Sequence, residues 1–328
     1  MFQLMPDLTP QMKNQNQFSL LLKANSIGST ARLVCSQCTK GKVLASVTDT
    51  IYLESEAGDL FWIIGENEPL HWRSICVQGL VPRITTGSEA AISSDHIVFD
   101  DGLKINLSDA VDWSAKFPDS SNLFSINSLF QKTRETYAEL ATVPRNGFGN
   151  LIPAILSNMN DPAKENKQEF QDPILRQAWT HVQDIVLESS RHNFNIVLER
   201  AESLLGLGAG LTPSGDDFIG GLLFTFHFLG NAYAEQVEFN PKHLEEFLAR
   251  SGLKTNLISF TLMRDMSMGH GLAPLHEVMN SIVTNQPNDH IITQAFELAK
   301  VGNSTGWDIL TGVLAGLLST LSYARECH

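Results

Sequence analysis

The chain is predicted to be an α+β protein: an N-terminal antiparallel β domain over residues 1–118, followed by an α-helical bundle domain over residues 119–328. Three observations carry that prediction. Between Ser19 and Trp113, short runs rich in Val, Ile, Leu and Trp are spaced by Gly, Asp, Asn and Pro, the pattern of strands joined by turns. From Pro173 onward apolar residues recur at three- and four-residue spacing, for example Trp179, Val182 and Val186, as on one face of a helix. Within that helical half, two glycine-rich stretches each lead directly into a long apolar segment.

Taken in order, residues 1–20 are polar and irregular and are expected to form a loose arm. Ala31–Val34, Lys42–Val47, Leu60–Ile64, Ile75–Val77 and His96–Phe99 read as strands. Asp100-Asp101-Gly102 reads as a hairpin turn into Leu103–Leu107, because Asp-Gly suits positive φ. Trp62, Trp72 and Trp113 read as core or sheet-face residues. Ser121 or Asn122 is placed to cap a helix over Leu123–Leu140; Thr142–Ile152 (TVPRNGFGNLI) reads as a linker and Asn158–Gln171 as a polar insert. Further helices are predicted over Pro173–Ser189, Asn193–Leu205, Pro241–Arg250, Asn256–Met266, Ala273–Val283, Ile291–Lys300 and Trp307–Arg325.

Composition narrows the function classes. At 328 residues, 43% hydrophobic and 18% charged, the chain is long enough for two cores. Its net charge of −13, with no Lys/Arg cluster, argues against a nucleic-acid partner, which needs basic patches. The apolar runs around Phe218–Leu229 and Ile309–Leu321 are shorter than the roughly 18 residues of a membrane span, so no membrane partner is expected. Met1–Pro10 carries no export signal, and cytoplasmic localisation is expected. The four cysteines agree with a reducing compartment. Cys35 and Cys38 form a CxxC with no second pair to complete four zinc ligands, so no metal is expected there.

The chemistry-bearing stretch is Gly206–Gly221, GLGAGLTPSGDDFIGG. Glycines admit backbone angles closed to other residues and let a ligand approach the main chain. A helix N-terminus adds unpaired N–H groups and partial positive charge, so the combination is an anion site. An ordinary turn with Thr212, Ser214 or Asp216 as N-cap is the alternative. The pattern recurs at Gly302–Gly312: Thr305 through Gly312 match Ser214 through Gly221 as hydroxyl, Gly, x, Asp, apolar, apolar, x, Gly. Asp217 thereby pairs with Asp308, and the two corners are expected to face each other across one site. The helix-interior glycines Gly220, Gly221, Gly312 and Gly316 each cost about 1 kcal/mol of helix propensity, which close helix contact is expected to offset.

These two stretches, GLGxGLTPSGDDFxxG and the later G-x-S-T-G-x-D, resemble the signature of a bacterial family that includes a subunit of oxamate carbamoyltransferase, from anaerobic allantoin degradation in purine catabolism. The resemblance covers roughly the C-terminal half. Where family members often carry G-H-S/T-S-G, this chain has Asn303, so no histidine role carries over to that position. The resemblance implies a transferase subunit that works within a complex, a carbamoyl group moving between oxamate and phosphate through oxalurate and carbamoyl phosphate. Both partners of that group are small anions.

On this reading the Gly208–Gly215 segment, with Gly208, Gly210, Thr212, Ser214 and Gly215, holds a phosphate or carboxylate, and Ser304, Thr305 and Gly306 do so from the second corner. Asp217, Asp308 and Asp216 are the candidate catalytic residues. Next to an anion they would orient an amide N–H₂, take up a proton, or hold Mg²⁺ against a phosphate; orientation of an amide is favoured, because oxamate and carbamoyl groups both present one. Arg145 offers a bidentate fork for an anion, or is an exposed loop arginine. His270, between glycines, is a candidate base or anion ligand, or a solvated loop histidine. The alternative function is a non-catalytic ligand-binding or assembly subunit whose partner chain does the chemistry. A nucleotide-dependent ligase ranks last, because G-x-x-x-x-G-K-[ST] is absent.

Overall fold

The computed structural model describes residues 20–160, 169–191, 193–233 and 241–326; the expected arm, up to Ser19, and residues 161–168 of the polar insert lie outside them. The strands are β1 (Leu21–Gly28), β2 (Lys40–Val47), β3 (Thr50–Ser55), β4 (Leu60–Ile64), β5 (Ser74–Val77), β6 (Glu89–Ile92), β7 (His96–Phe99), β8 (Lys104–Asn106) and β9 (Val111–Trp113). The helices are α1 (Ser29–Gln37), α2 (Ile126–Leu140), α3 (Ile152–Asn160), α4 (Pro173–Ser190), α5 (Phe194–Glu202), α6 (Ser214–Ala232), α7 (Pro241–Ser251), α8 (Leu257–Ser267), α9 (Ala273–Val283), α10 (Asn288–Ala299) and α11 (Thr305–Glu326). Apart from α1, which lies between β1 and β2, the strands precede the helices, in keeping with an α+β reading.

The sheet runs β5-β4-β3-β2-β6-β7-β8-β1-β9 and closes through β1–β5 into a barrel. It is mixed, which corrects the antiparallel expectation: β8 pairs parallel with the first half of β1, β9 parallel with its second half, and β4 parallel with β5. Closure supplies the reason, since β1 must find partners on both edges from strands far along the chain. The expected turn is present, with Gly102 at φ +96 between the antiparallel β7 and β8. Ala31–Val34, read as a strand, lies instead in α1, which buries Ala31, Val34 and Cys35 at helical spacing. Helix α3 was not anticipated, and α2 is capped by Ser125, whose hydroxyl accepts the Ser128 N–H, rather than by Ser121 or Asn122.

β4 explains how barrel and helices meet. Phe61 and Ile63 point into the barrel core with Ile27, Ile51 and Phe99. Leu60, Trp62 and Ile64 point outward, into a cluster with Cys76 of β5 and with Ile258, Leu211 and Leu262 from the helical region. Both faces of the strand are therefore covered, which is why all five of its residues are buried. A buried ion pair spans the same junction. Arg73 binds Asp265 with both Nε and Nη2, the latter at 2.9 Å, while its Nη1 donates to Leu60 O. His71 donates from Nε2 to His270 O at 2.9 Å and accepts the Arg73 N–H on Nδ1, so burial holds this ring neutral, its pKa pushed down to about 4.

Where a bundle was expected, the helices surround a central pair, α6 and α11. The two run in the same direction, since contacts step from Thr212–Thr305 to Thr225–Gly316. A Cβ at Gly221 would stand 2.3 Å from Ile309 O, and one at Gly312 would stand 2.0 Å from Phe218 O. These are equivalent positions in the two copies of the motif, so each helix presses a glycine onto the other's backbone. That reciprocal approach is what the helix-interior glycines permit. Gly316 faces Thr225 in the same groove, and Gly220 faces Met266 of α8.

Candidate functional site

The pairing of α6 with α11 brings the two glycine-rich corners side by side at the helix N-termini. In the first, Gly206, Gly208 and Gly210 take φ of +73, +125 and +100, so the chain turns in a way that alternate non-glycine residues would resist. The loop is clasped by Asp216. Its Oδ1 accepts the Gly206 N–H at 2.8 Å, and its Oδ2 accepts the hydroxyls of Ser259, at 2.7 Å, and Thr255. Asn256 adds a bond from Nδ2 to Leu211 O at 2.8 Å while capping α8. In the second corner Gly302 has φ +59, and Asn146 Nδ2 holds Asn303 O at 3.0 Å.

Hydroxyls join the corners. Thr212 Oγ1 and Thr305 Oγ1 are 3.0 Å apart, and Ser214 Oγ and Ser304 Oγ 3.5 Å. Beneath them lie Asp217, 3% exposed, and Asp308, fully buried. Burial raises the Asp217 carboxyl well above the ordinary range and the nearby charge of Asp308 adds to this, against the hydroxyls of Thr305 and Thr212. Burial likewise raises Asp308, to about 6, against the Phe148 N–H and the hydroxyls of Ser304 and Ser214. Each aspartate is thus served by a hydroxyl from the opposite helix. Each also keeps an Oδ2 with no hydrogen-bond partner among the described residues.

The two carboxyls differ in access. Phe148 N donates to Asp308 Oδ1 at 2.6 Å, delivered by a 3-10 turn over Gly147–Leu151 that seals this side. Asp217 lines a cavity of about 570 Å³. One wall of that cavity is Ala209–Thr212 with Val301–Thr305; the other is the outer face of the barrel, including Thr50, Tyr52, Trp62 and Glu68. No Lys, Arg, His or Cys lines it among the described residues.

Of the residues singled out from sequence, Gly210, Thr212, Asp217, Ser304 and Thr305 lie on the cavity wall. Gly208 packs on Ser214, and Ser214 and Asp308 sit behind the wall. The Gly215 N–H donates to Leu207 O and the Gly306 N–H to Val301 O, and a Cβ at either glycine would stand within 2 Å of a carbonyl oxygen, of Leu204 or Leu298. These two glycines serve chain packing. Arg145 is away from the cavity, its Nη1 donating to the carbonyls of Leu140, Ala141 and Val143 at the end of α2. His270 stacks on Trp72, with ring centroids 4.3 Å apart, at the barrel junction. The barrel residues Tyr52, Trp62 and Glu68 were not anticipated; the uninterrupted apolar run Leu60–Ile64 was the signal that something covers the outer face of β4.

Cys35 is buried, with its thiol pushed up to about 12, and Cys38 is buried beside the barrel core. Among the described residues no group of three or more His, Cys, Asp or Glu is placed to hold a metal ion, and no helix is long and apolar enough to cross a membrane.

The fold and site define an α+β protein with a cleft between a closed mixed barrel and a pair of glycine-led helix N-termini. Residues 204–317, from the first loop through most of α11, match the family model described as oxamate carbamoyltransferase subunit AllH. That region, about a third of the chain, is similar to this family, the one its two loop motifs resemble. No solved structure gives a significant match.

Proposed function

We propose that the chain is the part of a carbamoyl-transferring enzyme complex that binds the small anionic substrate, with the carbamoyl group passing between oxalurate and phosphate to give oxamate and carbamoyl phosphate. One observation carries the reading. Along Ala209–Thr212 and Gly302–Ser304 no backbone N–H donates to a protein acceptor among the described residues, and both loops line the same cavity. Unspent donors at two helix N-termini suit an oxyanion, and in an acidic protein they are local enough to act without a basic cleft. Thr212, Ser304 and Thr305 add hydroxyls, with Gly208 and Gly210 shaping the loop.

Asp217 takes the substrate-facing role, orienting an amide. Asp308 and Ser214 support it from behind, and Asp216 positions the loop; Gly215, Gly306, Arg145 and His270 are left out of the ligand set. Mg²⁺ is not favoured, because only one carboxylate of the aspartate pair faces the cavity. Catalysis on this reading consists of positioning and charge stabilisation by preorganised donors.

A second reading, a ligand-binding or assembly subunit with the chemistry on a partner chain, draws on the absence of Cys, His, Lys and Arg from the cavity wall among the described residues. The test is calorimetry of the chain, and of the complex assembled with the products of neighbouring genes, against phosphate, carbamoyl phosphate, oxamate and oxalurate, followed by turnover assays of both. Binding with turnover by the chain alone selects the enzyme reading; binding with turnover only in the complex selects the second; no binding in either preparation rejects the anion site.

A further inference from the structure

We propose that the barrel supplies half of the ligand site: Tyr52 and Glu68, together with Asp217, receive the N–H end of a small amide or ureido acid whose anionic end lies on the two loops. The inference rests on the anion reading above and adds to it the residues that select the ligand. Both barrel residues lie outside the stretch matched by the family model.

Three acceptors meet the cavity without a protein donor. Asp217 Oδ2 is buried and unpartnered. The Tyr52 hydroxyl and the Glu68 carboxylate also have no hydrogen-bond partner among the described residues, and both groups line the same space. Among the described residues no cationic side chain lines the cavity beside them. Asp217 Oδ2 is the buried one of the three, and a buried acceptor without a donor costs about 1–3 kcal/mol; Tyr52 and Glu68 are half-buried beside it, so a ligand that brings N–H groups here gains most at Asp217. Tyr52 keeps its proton throughout the neutral range, pushed up to about 12 by burial first and then by the charges of Glu68 and Asp217. It therefore both donates and accepts.

The chain itself shows what an N–H does at such a carboxylate. Asp308 is the counterpart of Asp217 in the repeated motif, and there a backbone amide, the Phe148 N–H, donates to Oδ1 at 2.6 Å. At Asp217 no backbone N–H among the described residues donates to the carboxyl, which lines the cavity instead. The ligand class that completes the symmetry is an amide. In the same cavity Ala209–Thr212 and Gly302–Ser304 present unspent donors, so the complementary molecule carries N–H groups together with a carboxylate or phosphate. The Tyr52 and Trp62 rings pack together on this wall, with centroids 5.7 Å apart.

The test uses the full chain and calorimetry with oxamate, oxalate and inorganic phosphate. Oxalate has the shape of oxamate without its N–H groups, and phosphate probes the loop end alone. Oxamate is expected to bind at least about tenfold more tightly than oxalate, the factor that one charge-assisted hydrogen bond supports. In Tyr52→Phe and Glu68→Ala that ratio falls toward one, while thermal unfolding reports that the variants are folded. If phosphate binds but oxamate and oxalate bind equally, or if both variants keep the wild-type ratio, this proposal fails and the anion reading stands. Preference for methylammonium over oxamate also overturns it, in favour of a cation site. If neither phosphate nor oxamate binds, the anion reading itself fails.

Discussion

The backbone N–H of Phe148 donates to the Asp308 carboxylate over 2.6 Å, tying a turn that precedes the helical core to the first turn of its last helix. The contact depends on Gly147, which adopts φ +51, and where a Cβ would stand 2.2 Å from Asp308 Oδ1.

Gly147→Ala is therefore expected to destabilise the protein by roughly 2–4 kcal/mol, combining left-handed strain with the loss of a charge-assisted bond. Denaturant unfolding measures it. A change below about 0.5 kcal/mol, the range of ordinary surface substitutions, would show that the turn is not pinned to Asp308.

Gly221→Ala and Gly312→Ala force a methyl onto the carbonyls of Ile309 and Phe218, at 2.3 and 2.0 Å. Each is expected to cost at least about 1–3 kcal/mol, the usual range for overpacking. Gly230 provides the contrast within α6, since among the described residues nothing lies within 4 Å of its added Cβ. There the Ala variant is expected to gain up to about 1 kcal/mol from helix propensity. Equal effects at all three positions would remove the close helix contact as their explanation.

Neighbouring aspartates should separate stability from binding. Asp216→Asn weakens the bonds from Gly206, Ser259 and Thr255, and a loss of about 1–3 kcal/mol is expected. Asp217→Asn replaces a carboxyl whose charged form burial already disfavours, so thermal unfolding should hold or improve while oxamate binding and turnover are lost. Parallel calorimetry and thermal melts decide it; the reverse assignment of effects would exchange the two roles.

His71 predicts a pH effect with a definite sign. Its folded pKa is pushed down to about 4 from 6.5, chiefly by burial. The unfolded chain therefore binds a proton that the folded one refuses, and stability present above pH 6.5 is lost as pH falls toward 4. Asp308 acts in the opposite sense, its folded pKa raised from 3.8 to about 6, so stability is lost there as pH rises through that window. The quantity to measure is the difference between wild type and His71→Gln from pH 7 to pH 4. The variant should escape a loss that reaches about 3 kcal/mol; parallel curves would contradict a neutral buried His71.

Part of the candidate site's layout is legible in the sequence. The repeated hydroxyl-Gly-x-Asp pattern paired Asp217 with Asp308, because a glycine-led helix start is a local event written in adjacent residues. The glycines within the two apolar segments pointed to close helix contact for the same reason: only a missing Cβ makes it possible. The spans of α4, α8, α9 and α11 followed from apolar spacing and their end signals within one or two residues.

What the sequence by itself determined, then, is what neighbouring residues settle among themselves: strands before helices, the Asp100–Gly102 turn, and two equivalent corners. Tertiary structure decided everything that depends on which distant segment arrives. It turned Ala31–Val34 into a helix that covers the barrel, and closed that barrel around β1, which pairs antiparallel with β5 and parallel with the distant β8 and β9. It spent Arg145 on the end of α2 and His270 on Trp72, and it brought Tyr52 and Glu68 to the wall facing Asp217. The physical reason is that a hydrogen-bonding group shows its chemistry in the sequence but not its partner; whether it is spent or free is fixed only when long-range packing chooses what lies beside it.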